Sequence, residues 1–184
     1  MARQEDLKRM ITLKQLTTNH PDYPQVVKLY EEAFPENERV MDMPTLLSGF
    51  PVTLLGIYPE EELFAGFFLV FDDGNLLYLL FFATCPQMRS GGIGSKAMQA
   101  LVERYRGRQL MFCYESVRQP SDNAEQRERR RSFYLKNGFH ESPWYAKFGE
   151  TEFVLCSSEE PADIEAFKQA IRKITGVEPE FYTY

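Results

Sequence analysis

Leu76-Leu77-Tyr78-Leu79-Leu80-Phe81-Phe82-Ala83 runs directly toward Gln87-Met88-Arg89-Ser90-Gly91-Gly92-Ile93-Gly94-Ser95. The first segment is an unbroken apolar run, the mark of a buried strand, and the second is a glycine-rich turn. Beyond it, Ala97, Met98, Leu101, Val102 and Tyr105 recur with the 3.6-residue period of an amphipathic helix. A turn at that place lies at a helix N-terminus, where the first N–H groups have no partner inside the helix and the peptide dipoles add positive charge. Glycines at 91, 92 and 94 let the main chain approach an anion with no Cβ in the way. The stretch from Leu76 to Tyr105 therefore predicts a strand, a phosphate-binding turn and a helix.

Two common glycine motifs fit this turn poorly. A P-loop needs Lys and then Ser or Thr directly after its last glycine, whereas Ser95 and then Lys96 follow Gly94. A dinucleotide fingerprint starting at Gly92 places Ala97 at its third glycine, an allowed variant, so a nucleotide-binding enzyme stays open as a lesser reading.

Composition narrows the class. With 184 residues, 43% hydrophobic and 26% charged, the chain reads as a single globular domain. A net charge of −6 argues against a nucleic-acid partner, since a phosphate backbone requires a basic surface, and suits a cationic substrate better. Cys85, Cys113 and Cys156 are odd in number, far apart and set in or beside apolar strands, so they read as reduced, buried thiols with no metal spacing. The start, Met1-Ala2-Arg3-Gln4-Glu5-Asp6, has no apolar leader and no run is long enough for a membrane span, which predicts a cytoplasmic protein with no membrane partner.

Elsewhere the pattern predicts a strand over 10–16, a helix over 22–34 that stops at Pro35, and a short helix or turn over 44–50. Strands follow over 52–58 and 63–71, and Asp73-Gly74 reads as a two-residue hairpin turn. After the organising helix, Gln109 to Tyr114 is a buried strand, parallel to the first because a helix crosses between them. A charged helix is expected over 120–136, stopped by Asn137-Gly138. Strands over 144–148 and 151–155 flank Gly149-Glu150, and a last amphipathic helix over 161–175 carries Ile164, Phe167, Ile171 and Ile174.

Arg89, Gly92 and Gly94 fill the pattern R/Q-x-x-G-x-G/A, and Phe133-Tyr134-Leu135-Lys136-Asn137-Gly138-Phe139 fills F/L-Y-x-x-x-G-F. In that order and context the two motifs resemble the signatures of the GNAT superfamily of N-acetyltransferases, over about residues 10–156. The resemblance implies an α/β (α+β) fold: a mixed, mostly antiparallel sheet of about seven strands, splayed between two parallel strands and flanked by helices. The C-terminal helix and tail, 157–184, would be an addition. It also implies an enzyme that moves an acetyl group from acetyl-CoA, with no metal, to the amine of a small cationic molecule or a peptide, in a ternary complex. The pantetheine arm would pair with the main chain of Phe82, Ala83 and Thr84, and the pyrophosphate would sit on Arg89, Ser90, Gly91, Gly92, Ile93, Gly94 and Ser95. A non-catalytic acyl-CoA-binding or sensing module is the alternative.

By spacing alone Tyr134 reads as a core anchor for its helix end; the same resemblance instead makes it the acid that protonates the departing thiolate. Glu115 is the candidate base, or else an exposed carboxylate at a strand end. Glu31, Glu36 and Glu38 could gather a cationic amine, or be solvated surface. Many family members have Asn and Ala seven and four residues before the tyrosine, where this chain has Arg127 and Arg130; Arg127 to Arg131 read as a surface face. His20 and His140 have no partner spacing. The apolar stripe of the last helix has two candidate covers, its own sheet or a second subunit in a homodimer.

Overall fold

A computed structural model of the protein describes residues 11–34, 36, 39, 41–177 and 179–184. Among these residues the fold is the expected one, an open, mostly antiparallel mixed sheet with five α-helices. The sheet has eight strands in the order β1-β2-β3-β4-β5-β7-β6-β8, and the chain divides into two compact units.

The first unit comprises residues up to Phe71 together with Leu79–Arg106. Its strands are β1 (Thr12–Gln15), β2 (Thr53–Tyr58), nearly all of β3 (Gly66–Asp72) and the end of β4 (Leu76–Thr84). β1 and β3 both pair antiparallel with β2. Gly66 to Phe71 are buried without alternation, because β3 is covered on both faces. On one face lie α1 (Tyr23–Ala33), opened by Pro24, and α2 (Met43–Gly49), capped where Asp42 accepts from the Thr45 N–H at 2.8 Å. Val26, Leu29 and Tyr30 of α1 and Met43 and Leu46 of α2 share a core with Leu54, Phe67 and Leu69. Each large apolar side chain buried there stabilises the fold by about 1.5–3 kcal/mol. A 3-10 helix (Pro86–Gly91) leads to α3 (Ile93–Arg104), which buries Ile93, Ala97, Met98 and Leu101. Val102, expected on that face, is 42% exposed, since it lies about 100° around the helix from Leu101.

The second unit comprises Asp72–Tyr78 and Gly107–Tyr184. Here the start of β4 runs parallel to β5 (Gln109–Glu115), as predicted, with Leu76 opposite Gln109 and Tyr78 opposite Met111. The connection before β4 is Asp73-Gly74-Asn75, one residue longer than expected, because Asp73 Oδ1 accepts from both the Asn75 and Leu76 N–H groups. β7 (Thr151–Ser157) pairs antiparallel with β5 and with β6 (His140–Phe148). Gly149-Glu150 is the two-residue turn of that hairpin, with φ +61° at Gly149.

α4 (Ala124–Lys136) starts four residues later than expected, beyond a 120–123 turn in which the Ala124 N–H bonds the Ser121 carbonyl. α5 (Ile164–Thr175) starts at its Asp163 cap and buries Phe167, Ala170, Ile171 and Ile174. Phe167 meets Tyr78 edge-on at 4.8 Å, so the stripe covers the sheet of its own chain. A strand not predicted, β8 (Phe181–Tyr182), pairs with β6 from the tail.

Candidate active site

In the first unit the glycine turn ends at Gly92, earlier than expected, and Gly94 and Ser95 already lie in the first turn of α3. Gly92 is both the end of the 3-10 helix and the N-cap of α3, at φ +69°, ψ 12°. A Cβ there would meet no atom within 4 Å, so the need for glycine is conformational. The first helical hydrogen bond runs from the Lys96 N–H to the Gly92 carbonyl at 3.1 Å. The N–H groups of Ile93, Gly94 and Ser95 therefore precede the helical ladder, at the positive end of the α3 dipole. Arg89 is exposed, and its Nε donates to the Thr84 carbonyl at 3.3 Å, tying the turn to the end of β4.

The backbone of β4 before the turn is held from beneath. Phe82 stacks on Phe68 at 4.6 Å, and a Cβ on Gly66 would lie 2.3 Å from the Ala83 carbonyl oxygen. Phe82, Ala83, Thr84 and the residues from Arg89 to Ser95 thus form one continuous stretch of β4, turn and helix start. Glu31 and Glu36, in the same unit, are exposed, and Glu38 lies outside the described residues.

In the second unit Tyr134 stands in the last turn of α4, 9% exposed, with its ring against Phe112 at 4.4 Å and Tyr114 at 5.3 Å. The helix stops at Asn137-Gly138 as predicted, with Gly138 at φ +84°, and the Phe139 N–H returns to the Tyr134 carbonyl. Burial pushes the Tyr134 hydroxyl up to about 12, against the opposing pull of the Arg130 charge. The phenol is protonated at neutral pH and able to donate.

Glu115 is buried at the end of β5. Its Oε1 accepts from Arg127 Nη2 at 2.9 Å, and its Oε2 accepts from Arg130 Nη1 at 3.1 Å and Asn123 Nδ2 at 3.3 Å. Three of about four lone-pair directions of this carboxylate are taken. Arg127 also donates to the Ser116 carbonyl at 3.2 Å, and Arg131 Nε donates to Glu141 at 3.1 Å.

The reading of Arg127 to Arg131 as a surface face is therefore corrected. Arg129, 81% exposed, fits it, but Arg127 is 6% exposed and three of the four arginines in that run turn to carboxylates on the strands. Arg127, Arg130 and Tyr134 are spaced i, i+3, i+7, which places them on one helix face. That spacing was the available signal, outweighed by the charged composition.

Sequence reasoning also missed Glu152. It is 4% exposed and accepts from the hydroxyls of Tyr182, at 2.8 Å, and Tyr184. The Arg118 guanidinium lies over the Tyr184 ring at 3.8 Å. Among the described residues no group of His, Cys, Asp or Glu could hold a metal ion, and Cys85, Cys113 and Cys156 are free.

The family model described as "Acetyltransferase (GNAT) family" matches residues 23–139, and the chain belongs to that family. Its class is that of an N-acetyltransferase, as the two motifs implied. A solved structure from Bacteroides thetaiotaomicron, assigned to the same family, is similar at 25% identity and TM-score 0.68, over 88% of this chain and 93% of that one. A GNAT acetyltransferase from Elizabethkingia anophelis, with acetyl-CoA bound, matches at 13% identity and TM-score 0.58, over 81% and 97%. The ribosomal-protein-S18-alanine N-acetyltransferase of Escherichia coli matches at 17% and 0.60, over 84% and 98%. Likenesses at those two identities show the fold. No protein with a curated description matches the chain.

Proposed function

We propose that the protein transfers an acetyl group from acetyl-CoA to the amine of a small cationic molecule or a peptide, in a ternary complex, as one catalytic domain over residues 1–184. The observation that carries this reading is the set of N–H groups on Ile93, Gly94 and Ser95, presented after a left-handed Gly92 at the start of α3. Such groups suit a diphosphate. The family supplies the donor: the Elizabethkingia relative holds acetyl-CoA, and other structures of this fold act on a ribosomal protein or an aminoglycoside. The main chain of Phe82, Ala83 and Thr84 takes the pantetheine arm.

The chemistry requires a free amine at the thioester carbon, a donor to the developing oxyanion and a proton for the leaving sulfur. Tyr134, protonated and buried among aromatic rings, supplies the last. Glu115 with its oxygens engaged suits the work of holding α4 better than that of a base. Deprotonation of the acceptor is then left to solvent or to a group of the acceptor pocket. Glu31 and Glu36, exposed and acidic, are proposed to attract the cationic acceptor. A cytoplasmic location belongs to the same reading; among the described residues no helix is long and apolar enough to cross a membrane.

The test pairs acetyl-CoA with polyamines, aminoglycosides and amino-acid amines and follows release of CoA. At least one acceptor is expected to turn over, with Tyr134→Phe slower by about 10²-fold. Tight calorimetric binding of acetyl-CoA with no turnover on the whole panel would favour the acyl-CoA-sensing module instead. A larger thermal shift with NAD than with CoA would sink both.

A further inference from the structure

Two guanidiniums share one carboxylate beside the helix that carries Tyr134. Glu115 binds Arg127 at 2.9 Å and Arg130 at 3.1 Å, and its third partner, Asn123, is neutral. One carboxylate cannot cancel two cations, so this cluster keeps one net positive charge. The neighbouring Arg131 has carboxylates of its own: Glu141 at 3.1 Å, which also accepts from the Tyr114 hydroxyl at 2.8 Å, and Glu128 at 3.4 Å. Within the contacts of Glu115 itself, Arg127 and Arg130 are two cations on one carboxylate.

Of those two, Arg130 is one helical turn before Tyr134. Residues four apart in a helix are neighbours on one face, and the two side chains meet consecutive residues at the end of β5: Tyr134 stacks on Tyr114 at 5.3 Å and Arg130 binds Glu115 at 3.1 Å. We infer that Arg130 is a positioning residue for the acid step: Glu115 holds its guanidinium beside Tyr134, where positive charge stabilises the phenolate formed when the tyrosine gives up its proton.

The inference rests on the reading of Tyr134 as the acid. As the C–S bond of the thioester breaks, its electron pair goes to sulfur and Tyr134 Oη passes its proton there. The phenolate left behind is reprotonated, through solvent, by the proton that the attacking nitrogen has lost. Free CoA and the amide result, with no net proton change at the enzyme. A buried phenol gives up its proton reluctantly, and the other described groups packed around Tyr134 do not relieve this. Phe112 and Tyr114 of β5 and Phe139 are aromatic, and Cys156 of β7 opposes ionisation. Arg130 acts in the opposite direction.

The experiment is a double-mutant cycle on the full chain with acetyl-CoA and the best acceptor from the panel. Arg130→Met is expected to lower kcat about 10-fold, the effect of about one pKa unit on the proton step, with KM for acetyl-CoA unchanged. Arg130→Lys is expected to recover most of the loss, and Arg130→Met added to Tyr134→Phe is expected to cost nothing further. An unchanged kcat in Arg130→Met, or full additivity with Tyr134→Phe, would overturn the inference while leaving the acid in place. Unchanged turnover in Tyr134→Phe would instead remove the acid assignment beneath it. If Arg130→Met does not fold, Arg130→Gln against Arg130→Lys makes the same comparison.

Discussion

Arg127 Nη2 lies 2.9 Å from Glu115 Oε1, and both side chains are more than nine-tenths buried. This contact joins α4 to the last residue of β5. A buried cation that loses its carboxylate is left uncompensated, at a cost of about 3–5 kcal/mol. Glu115→Leu is therefore expected to lower the urea midpoint strongly, and Glu115→Leu combined with Arg127→Met to recover much of the loss. Equal destabilisation by the single and double variants would show that the ion pair is not the source.

Gly66 has no room for a side chain. Its added Cβ would stand 2.3 Å from the Ala83 carbonyl oxygen and 2.9 Å from the Thr84 Cα, both backbone atoms. Gly66→Ala must displace the end of β4, and overpacking of this kind costs about 1–3 kcal/mol. Because the proposed pantetheine contact is that same backbone, the variant is expected to bind acetyl-CoA more weakly in calorimetry, beyond any loss of folded protein. Wild-type affinity would detach Ala83 and Thr84 from the cofactor.

Glu152 makes stability depend on pH. Burial pushes its carboxyl up, but the hydroxyls of Tyr184, Ser116 and Tyr182 and the Arg118 charge outweigh that, so it titrates below its ordinary 4.5. A group with a lowered folded value stabilises the protein above the unfolded value, and that contribution is lost as pH falls through the folded one. Replacing Tyr182 and Tyr184 together by Phe is expected to lower the melting temperature at pH 7. The melting temperatures of variant and parent should then converge as pH drops well below 4.5. A constant gap at all pH values would assign the loss to packing.

Where local chemistry decides, the chain could be read directly. The apolar run of β4, Gly91 and Gly92 before α3, the Asn137-Gly138 stop and the Gly149-Glu150 turn are each governed by a few consecutive residues, and the structure has them as expected. The parallel pairing of β4 and β5 followed from the helix between them. What escaped depends on partners far apart in the chain. Glu115 meets Arg127 and Arg130 across twelve and fifteen residues, and Glu152 meets Tyr182 and Tyr184 across thirty and thirty-two. No local pattern announces a carboxylate whose partners arrive from another element. β8 escaped because two residues cannot display a strand's alternation.

The state of the three sulfurs has a practical result. Cys85 and Cys156 are buried, Cys113 is partly so, and burial holds all three thiols above their ordinary range and therefore unreactive at neutral pH. A chromogenic disulfide reagent added to the native enzyme should find almost nothing to attack on the polypeptide. The colour that develops during turnover would then count liberated coenzyme, molecule for molecule.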